Sequence, residues 1–449
     1  MQRAEFLKKL PTDKDSIHCI GIGGIGVSAL AELLHEGGFQ VSGSDAEYND
    51  ICRYLADIGV QVAPAGHREE NVPDNCGAGI MTAAASITNP EASKLLRNGA
   101  MTWSRGEFLA ELCRCYQRPV MVAGSHGKSS TSAMLGWILQ QLAVNAGLLI
   151  GARYNSNDRN ARLGDGDILL AEADESDGTH ALLTGELALI TNIDGDHAWN
   201  DSELKKQEQQ FIVFARSFRK TLYVAGEGTS RILANCANAE AIPSEKFQYL
   251  CSLVPDNMLG YERSNAALAL AGAEYLQLDL AKAAAALKSY PGIKRRQMVS
   301  AVSADKHIMV LEDYAHHPRE LACSLEVIKM RYPQYALTVV FQPHRYRRLL
   351  HYFNDFVRVL SDKNMTVKVL PVFCAWEQPL LDGKESIDLV EAVNNAGGKA
   401  ELLRLDNVER TAAELIGNAA QQSENVLFAM IGAGDIDRLS KALAAAVNS

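Results

Sequence analysis

The feature that most constrains this chain is a pair of glycine-rich turns, each placed between a predicted strand and a predicted helix. The first reads GIGGIG over residues 21–26, and the second reads GSHGKSS over residues 124–130. Such turns let the backbone approach phosphate groups, whose negative charge is favoured at a helix N-terminus. The chain therefore has two separate sites at which phosphate groups could bind, both in an α/β setting.

Alternating apolar strands and helical stretches predict three consecutive α/β units rather than two. The alternation restarts after Arg118 and Pro119, and Pro291 and Gly292 interrupt it again after an alanine-rich, helical stretch over 264–287. The predicted domains are therefore 1–117, 118–293 and 294–449. A chain of 449 residues and 48.8 kDa is long enough for three such domains.

The first turn is typical of a Rossmann-like nucleotide-binding fold. Asp45 ends the second predicted strand, roughly twenty residues after the glycines, where such folds place an acidic residue that binds a ribose. A tight turn that only packs a helix against a strand would show the same glycines, so this turn alone leaves both interpretations open.

The second turn is a shortened P-loop. Val122 stands where the full pattern GxxxxGK[ST] has its first glycine. Lys128 is still placed to hold phosphates, and the Ser129 hydroxyl is placed to bind Mg²⁺. An exposed lysine at a helix start is the alternative. Two separate phosphate-binding turns favour a ligase that uses a nucleotide-linked substrate over a dehydrogenase, which needs only one nucleotide site.

Acidic and histidine residues follow two predicted strands of the second unit. The first cluster comprises Glu172, Asp174, Glu175 and Asp177, and the second comprises Asn192, Asp194, Asp196 and His197. Four carboxylates within six residues repel one another unless a cation or basic groups compensate. Beside a P-loop this pattern predicts Mg²⁺, although a solvated acidic loop could produce either cluster alone.

Two histidine-containing segments follow successive predicted strands of the third unit, at 312–318 and 341–348. Because strand ends meet at one edge of a parallel sheet, both segments are expected to border one cleft. Arg345 and Arg348 could bind a carboxylate there through paired hydrogen bonds. Arg347 is equally compatible with an exposed helix start.

Charge and composition exclude several classes of protein. With 44 Lys and Arg against 54 Asp and Glu, the net charge of −10 argues against general binding of nucleic acid or an anionic membrane. No apolar run approaches the roughly 18 residues of a membrane helix, and no signal-peptide core is present at the N-terminus. Nine cysteines without a framework spacing are typical of reduced thiols, so we expect a cytoplasmic protein.

The motifs resemble those of the Mur ligases over the whole chain. They occur in that family's order: IGIGGIGVSALAELL, AGSHGKSST, NARLGDGDILLAEADESDG, ITNIDGDH, IKRR, EDYAHHP, FQPHRY and GAGDI. The resemblance implies a Rossmann-like UDP-substrate domain (1–117), a P-loop ATP-binding domain (118–293) and a Rossmann-like amino-acid domain (294–449). It is greatest for members that use ATP and Mg²⁺ to join L-alanine to the lactyl carboxylate of UDP-N-acetylmuramate, through an acyl phosphate, in peptidoglycan precursor synthesis.

The resemblance also implies roles for matching residues. The catalytic residues would be Lys128, Glu172, His197 and His316, and the magnesium ligands Ser129, Glu172 and His197. ATP would be bound by Gly124, Ser125, His126, Gly127, Lys128, Ser129, Ser130, Asn265, Arg295, Arg296 and Asp313. The UDP substrate would contact Gly23, Gly24, Ile25, Gly26, Asp45 and His67. The amino acid would be bound by Tyr314, His344, Arg345 and Arg348.

Some positions depart from the family pattern. Ser264 replaces a histidine before Asn265, Arg347 replaces a serine, and Trp376 replaces a glycine. These changes leave open a paralogue that uses another amino acid, a ligase for recycled muramyl peptides, or a nucleotide-binding protein without turnover. A nicotinamide-dependent oxidoreductase would use the first turn and leave the P-loop without a role. The sequence does not decide between a monomer and a dimer.

Overall fold

The protein is described here by a computed structural model that covers residues 16–82, 85–86, 88–176, 178–196, 198–375 and 377–448. It contains three sheets of largely parallel strands flanked by helices, which confirms the predicted α/β class. Contacts between residues divide the chain into two compact units. One comprises the residues up to 258 together with 262–291, and the other comprises 259–261 together with 292–449.

The N-terminal sheet has five parallel strands in the order β3-β2-β1-β4-β5. The strands are β1 (Ser16–Ile20), β2 (Gln40–Ser44), β3 (Gln61–Val62), β4 (Ala78–Met81) and β5 (Met101–Ser104). The helices are α1 (Ile25–Glu36), α2 (Asp50–Asp57), α3 (Pro90–Arg97) and α4 (Arg105–Arg114). The strand order reverses between β1 and β4, which places the first glycine turn at a switch point, where α/β sheets bind ligands.

The central sheet has seven strands in the order β12-β11-β10-β6-β9-β7-β8, and only the β7–β8 pair is antiparallel. Its strands are β6 (Arg118–Ala123), β7 (Gly147–Leu149), β8 (Ala161–Arg162), β9 (Ile168–Glu172), β10 (Gly185–Ile190), β11 (Phe218–Tyr223) and β12 (Ala239–Ala241). Its helices are α5 (Lys128–Gln141), α6 (Asp201–Arg216), α7 (Glu227–Leu233), α8 (Ser244–Leu253), α9 (Tyr261–Tyr275) and α10 (Leu280–Leu287). The P-loop after β6 therefore lies between the ends of β9 and β10.

The alanine-rich stretch over 264–287, predicted to be helical, contains most of α9 and all of α10. Gln277 adopts a φ of +64°, which interrupts α9. The Asp279 side chain then accepts a hydrogen bond from the backbone N–H of Lys282 and caps α10. The turn is set by these two residues and not by the alanines around them.

The N-terminal and central sheets share one apolar core. The buried cluster that contains Leu33 and Phe108 also contains Leu169 and Phe214 of the central sheet. A second buried cluster, which includes Leu135 and Leu268, covers the other face of the central sheet. The continuous core explains why both sheets fall into one compact unit.

The C-terminal unit has six strands in the order β13-β14-β18-β15-β16-β17, with only β13 antiparallel to its neighbour. The strands are β13 (Met298–Val302), β14 (Ile308–Asp313), β15 (Ala336–Phe341), β16 (Met365–Val369), β17 (Ala400–Leu402) and β18 (Val426–Ile431). The helices are α11 (Pro318–Arg331), α12 (Tyr346–His351), α13 (Phe353–Leu360), α14 (Ser386–Asn395), α15 (Val408–Ala420) and α16 (Ile436–Asn448). Adjacent β14, β18 and β15 bring three sequence motifs to one edge.

None of the nine cysteines, all of which lie within the described residues, forms a disulfide. Among the helices of the described residues, none is both long and apolar enough to cross a lipid bilayer.

Candidate active site

The first glycine turn connects β1 to α1. Gly23 donates its backbone N–H to the Asp45 carboxylate over 2.9 Å, and the Asn49 amide donates to the Gly23 carbonyl oxygen over 3.1 Å. A Cβ on Gly23 would lie 2.9 Å from the Asn49 amide nitrogen, so this contact requires glycine. The fold thus brings the predicted residues Gly23 and Asp45 together, and the Asp45 side chain is fixed by the turn itself.

The end of β2 also positions His67. Gly66 donates its backbone N–H to the carbonyl oxygen of Asp45 over 2.8 Å, and His67 Nδ1 lies 2.8 Å from the Ser44 hydroxyl. His67 therefore stands beside Asp45 at the carboxyl edge of the N-terminal sheet. The six residues predicted to contact the UDP substrate lie either in the glycine turn or along this edge.

Two glycines of the P-loop adopt left-handed backbone conformations. Gly124 has a φ of +130°, and a Cβ there would lie 2.1 Å from the Thr191 hydroxyl oxygen. Gly127 has a φ of +83°, and a Cβ there would lie 2.5 Å from the Asn265 amide oxygen. Both positions require glycine because of the backbone and because of these contacts. Asn265, which is distant in sequence, is thereby placed directly against the P-loop, and its buried amide nitrogen has no hydrogen-bond partner among the described residues.

The segment after β10 holds the P-loop in shape. Asn192 accepts a hydrogen bond from the backbone N–H of His126 over 2.9 Å and donates one to its carbonyl oxygen over 3.0 Å. The backbone N–H of Asp194 donates to the Ser125 hydroxyl over 3.0 Å. This segment was interpreted from sequence as a ligand-presenting cluster, and part of it supports the loop instead. His197, the predicted catalytic and metal-binding residue there, lies outside the described residues.

Lys128 folds back onto its own loop and onto an acidic neighbour. Its ammonium group donates to the carbonyl oxygens of Gly124 and Ser125 over 2.7 and 3.2 Å, and lies 2.8 Å from a Glu175 carboxylate oxygen. Burial would lower the pKa of Lys128, but the carboxylates of Glu175, Asp174 and Glu172 outweigh it and raise that pKa above its ordinary value. The lysine is therefore held as a cation. Burial raises the pKa of Glu175.

Asp174 pairs with an arginine from the N-terminal sheet. An Arg105 guanidinium nitrogen lies 3.1 Å from the Asp174 carboxylate. Burial would raise the pKa of Asp174, yet Arg105 and Lys128 lower it to about 2. Asp174 and Glu175 are thus compensated by basic groups. Of the acidic cluster for which the sequence predicts Mg²⁺ as the compensating charge, these two residues have basic side chains beside them.

Glu172 is a further acidic residue of this cluster, and one of its carboxylate oxygens has no hydrogen-bond donor in the part of the chain that the structure describes. Its Oε2 is buried and has no hydrogen-bond partner among the described residues. A Cβ on Gly151 would lie 2.2 Å from this oxygen, so the glycine makes room for the carboxylate. A buried carboxylate oxygen without a donor fits a hard divalent cation. The Ser129 hydroxyl, in the first turn of α5 after the P-loop, is a further oxygen ligand in the same domain. No cluster of three or more His, Cys, Asp or Glu side chains forms a metal site within the described part of the chain.

A cavity of about 130 Å³ connects this region to the first glycine turn. Ile25 and Gly26 at the start of α1 line one side, and Glu172 and Asp174 line the other. Arg105 also borders the cavity, and a Cβ on Gly26 would lie 2.6 Å from its side chain. The cavity therefore lies between the start of α1 and the carboxylates at the end of β9.

Asn160 joins the two sheets beside this cavity. Its amide donates to the carbonyl oxygen of Ile25 over 3.3 Å and to that of Ile150 over 2.9 Å. Glu36 at the end of α1 accepts from the backbone N–H of Leu163 over 2.7 Å. These contacts fix α1 relative to β7 and β8. The sequence interpretation quoted the NARLGDGD motif that contains Asn160 but assigned no role to it.

Within the C-terminal unit, Asp313 organises the end of β14. Its carboxylate accepts from the Gln297 amide over 2.9 Å and from the backbone N–H of Ala315 over 2.8 Å. Burial raises the pKa of Asp313, although Arg296 opposes that effect. Arg295 donates to the carbonyl oxygen of Gly432 over 2.9 Å. The predicted nucleotide residues Arg295, Arg296 and Asp313 are thus brought together.

Aromatic and histidine rings line the same edge of the C-terminal sheet. The rings of Tyr314 and His316 lie 5.4 Å apart, and those of His316 and His344 lie 5.6 Å apart. A guanidinium nitrogen of Arg348 lies 3.3 Å from His344 Nδ1, and Arg348 is only 1% exposed. Arg345 begins α12 with a φ of +68°, a conformation that favours glycine. The predicted amino-acid residues therefore form one cluster.

Two residues next to this cluster, Arg347 and Gln342, differ in how well the sequence predicted their positions. Arg347 is exposed, as its alternative interpretation allows. Gln342 is buried, donates to Asp435 over 2.5 Å and accepts from the backbone N–H of Ile436 over 3.0 Å. Gln342 thereby connects the FQPHRY and GAGDI motifs. The only sequence feature that pointed to Gln342 was its position within the FQPHRY motif. Trp376 lies outside the described residues.

Known proteins resemble this chain in sequence. A family model described as "Mur ligase family, catalytic domain" matches residues 16–117. A UDP-N-acetylmuramate–L-alanine ligase from Desulforapulum autotrophicum is 32% identical over 455 residues, covering 95% of this chain and 97% of the relative. The chain belongs to the Mur ligase family. The family predicted from the order of the motifs is therefore confirmed.

Solved structures of this family share the fold. A UDP-N-acetylmuramate–alanine ligase from Thermotoga maritima superimposes with a TM-score of 0.80 at 23% identity, covering 96% of this chain and 99% of that structure. A murein peptide ligase from Psychrobacter arcticus superimposes with a TM-score of 0.68 at 20% identity, covering 97% and 99%. The three-sheet arrangement is thus that of Mur ligases.

Proposed function

We propose that this chain is an ATP-dependent ligase that joins L-alanine to the lactyl carboxylate of UDP-N-acetylmuramate, in peptidoglycan precursor synthesis. The relative from Desulforapulum autotrophicum carries that activity in its name and matches nearly the full length of this chain. ATP and UDP-linked precursors are cytoplasmic metabolites, so we place the protein in the cytoplasm. We also propose the functional domains 1–117, 118–293 and 294–449 for the UDP substrate, ATP and the amino acid.

The P-loop supports the ATP side of this proposal. Lys128 would move from its own loop carbonyls and Glu175 to the β- and γ-phosphates, with the backbone N–H groups of 124–130 around them. Asn265 would read adenine, since its buried amide nitrogen lacks a partner and its oxygen lies against Gly127. Arg295, Arg296 and Asp313 would contribute from the C-terminal unit.

Glu172 and Ser129 would hold Mg²⁺, with His197 as the further ligand that the family pattern implies. When bound, the ion would supply positive charge beside two anions, a phosphate and a carboxylate, that must approach each other. The protein residues do the rest. Lys128 neutralises the transferred group, and Asn192 keeps the loop that carries Lys128 in shape.

The first glycine turn supports the UDP-substrate side. The N–H groups at the start of α1 would bind the diphosphate, while Asp45 and His67 border the nucleoside. The cavity lined by Gly26, Arg105 and Glu172 would receive the lactyl end of the substrate. A carboxylate there would meet the phosphoryl group held by the P-loop.

The reaction then follows from these positions. A lactyl carboxylate oxygen attacks the γ-phosphorus, the bond to ADP breaks, and an acyl phosphate forms. The free amine of L-alanine attacks the acyl carbon, loses a proton, and expels inorganic phosphate together with that carboxylate oxygen. Tyr314, His344, Arg345 and Arg348 would bind the amino acid, and His316 would act beside them as a catalytic residue.

The observation that carries this proposal is the cavity that reaches from the first glycine turn to Glu172, whose buried Oε2 has no hydrogen-bond partner among the described residues. The test is ATP-dependent phosphate release with UDP-N-acetylmuramate, Mg²⁺ and L-alanine, with identification of the amide product. We expect release with L-alanine and little with glycine, serine or a muramyl tripeptide. Release with the tripeptide and not with L-alanine would make the protein a recycling ligase, and ATP binding without release would make it a binding protein.

A further inference from the structure

A buried carboxylate lies below the edge of the N-terminal sheet, outside the residues assigned above. Glu91 is the second residue of α3, and it is fully buried. Asn89 caps the helix and accepts a hydrogen bond from the backbone N–H of Glu91 over 2.9 Å. A carboxylate in the first turn of a helix is favoured by the helix dipole. A fully buried charge nonetheless needs hydrogen-bond donors, and here it has them on both oxygens.

One oxygen of Glu91 is bound by the loop that carries His67. The Asn71 amide donates to Oε1 over 2.6 Å, and the backbone N–H of Arg68 donates to it over 3.1 Å. Arg68 follows His67 directly in the chain. These two hydrogen bonds therefore fix the backbone on which the His67 ring is mounted.

The other oxygen of Glu91 is bound by the strands and by two rings. The Ser44 hydroxyl donates to Oε2, and His18 Nε2 and His67 Nδ1 each lie 3.3 Å from it. His18 belongs to β1 and Ser44 to β2, so a single carboxylate connects both strands to the His67 loop.

The network also fixes the protonation of the His67 ring. Ser44 gives its only proton to Glu91, so the hydroxyl oxygen must accept from His67 Nδ1. Nδ1 therefore carries a proton, and Nε2 remains the nitrogen that a ligand can use. The carboxylate stays ionised to support this arrangement. Burial alone would raise the pKa of Glu91, but hydrogen bonds from His18, Ser44 and Asn71 lower it to about 2.

We infer that Glu91 is a positioning residue for the UDP substrate: it acts through His67, whose ring it holds in the geometry that binds the nucleotide. The inference rests on the proposed function, because that function places the UDP substrate against Asp45 and His67. Glu91 itself would not touch the ligand.

The test compares Glu91→Gln, His67→Ala and the double variant in the full-length protein. Glutamine has the same shape as glutamate, but its NH₂ group would face hydrogen-bond donors such as Asn71 and Ser44, from which the Glu91 carboxylate accepts. We expect Glu91→Gln to raise the KM for UDP-N-acetylmuramate about tenfold, with kcat and the KM for ATP within about twofold. Calorimetry with UDP alone should show the same loss of affinity. Since Glu91 acts through His67, the double variant should bind UDP no more weakly than His67→Ala does.

Leu95→Ala is the matched control for loss of stability. Leu95 is fully buried in the same helix and belongs to an apolar cluster with Ile20 and Val72. A purely structural role for Glu91 predicts that Leu95→Ala, at equal loss of Tm, raises the KM for the UDP substrate equally. That result, additive effects in the double variant, or an unchanged UDP affinity in Glu91→Gln would overturn the inference.

Two further measurements keep the test decisive. If Glu91→Gln does not fold, Asn71→Ala removes one donor at the edge of the network, and the inference predicts a smaller loss of UDP affinity in the same direction. If the wild type shows no alanine-dependent phosphate release, the proposed function fails. UDP calorimetry then still reports whether Glu91 and His67 act together.

Discussion

The two glycine turns of the N-terminal unit share one backbone plan but differ in the charges around them. The turn at 21–26 contains no basic residue, and its neighbour Asp45 is hydrogen-bonded to the turn itself. The P-loop contains Lys128 and has three carboxylates nearby, and one of them, Glu172, has a buried oxygen without a hydrogen-bond partner among the described residues. The comparison shows that two turns of similar backbone type can have very different charged surroundings. Under the proposed function, the first turn would bind a diphosphate, whereas the second would hold the phosphoryl group that is transferred.

The largest effect is expected at the lysine that only the second turn has. Lys128→Ala removes the cation from the transferred phosphate and should lower turnover on the order of a thousandfold. The measurement is phosphate release at saturating substrates, together with thermal melting to exclude unfolding. Lys220→Ala is the control, because Lys220 pairs with Glu240 in the same sheet away from the P-loop. Substantial turnover in Lys128→Ala would remove the distinction between the two turns.

The second-largest effect is expected at Glu172, where a substitution should change turnover but not thermal stability. Glu172→Gln should lower turnover on the order of a hundredfold without lowering Tm, because the buried Oε2 accepts no hydrogen bond from the described residues that the substitution would remove. The readouts are phosphate release and thermal melting, with Glu240→Gln as the surface control. A variant that melts earlier would show that Glu172 has a structural partner, and one with full turnover would rule out its role with the metal.

A glycine pair tests whether each turn serves one substrate. Gly23→Ala places a methyl group against Asn49 and Asp45 and should raise the KM for the UDP substrate about tenfold. Gly127→Ala should raise the KM for ATP by a similar factor, because its left-handed backbone and Asn265 both oppose a side chain.

Gly99→Ala controls for backbone strain alone, since Gly99 has a φ of +68° and no neighbouring atom within 4 Å of a Cβ. Steady-state kinetics with each substrate varied in turn would decide the matter. If either variant at 23 or 127 raised both KM values equally, the assignment of one substrate to each turn would be contradicted.

The smallest expected effect is the pH dependence of the thermal stability that Glu91 contributes near the first turn. The pKa of Glu91 is about 2, below its ordinary value of 4.5, so its stabilising contribution is complete above about pH 4.5 and is lost as the pH falls towards 2. The Tm of Glu91→Gln should lie on the order of 5 °C below the wild type at pH 7, and this gap should narrow between pH 4.5 and 2. The gap for Leu95→Ala should not narrow in that window. A constant gap for both variants would show that Glu91 is not ionised in the folded protein.

Local motifs predicted much of this structure, because each turn is encoded within about ten residues. The glycine turns, the strands before them and the helices after them lie where the sequence places them. The three α/β sheets follow from the same alternation. The alanine-rich stretch over 264–287 was predicted less well, since a single left-handed residue at Gln277 divides it.

Contacts between distant segments were not predictable. Glu91 joins residues 18, 44, 67 and 71 through the order of the strands, which no local pattern specifies. The pairing of Asp174 with Arg105 depends in the same way on how the two sheets share a core. A cluster of acidic residues correctly indicates that compensating positive charge lies nearby. The sequence does not show which carboxylates are paired with basic side chains and which remain available to a metal ion.

The central claim is that the two turns bring a carboxylate of the UDP substrate to the γ-phosphate of ATP. Isotope transfer tests it most directly, with UDP-N-acetylmuramate carrying oxygen-18 in the lactyl carboxylate and with ATP, Mg²⁺ and L-alanine present. The account predicts that one labelled oxygen leaves in each inorganic phosphate, since the acyl phosphate breaks between that oxygen and the carbonyl carbon. Unlabelled phosphate released along with the amide product would contradict it.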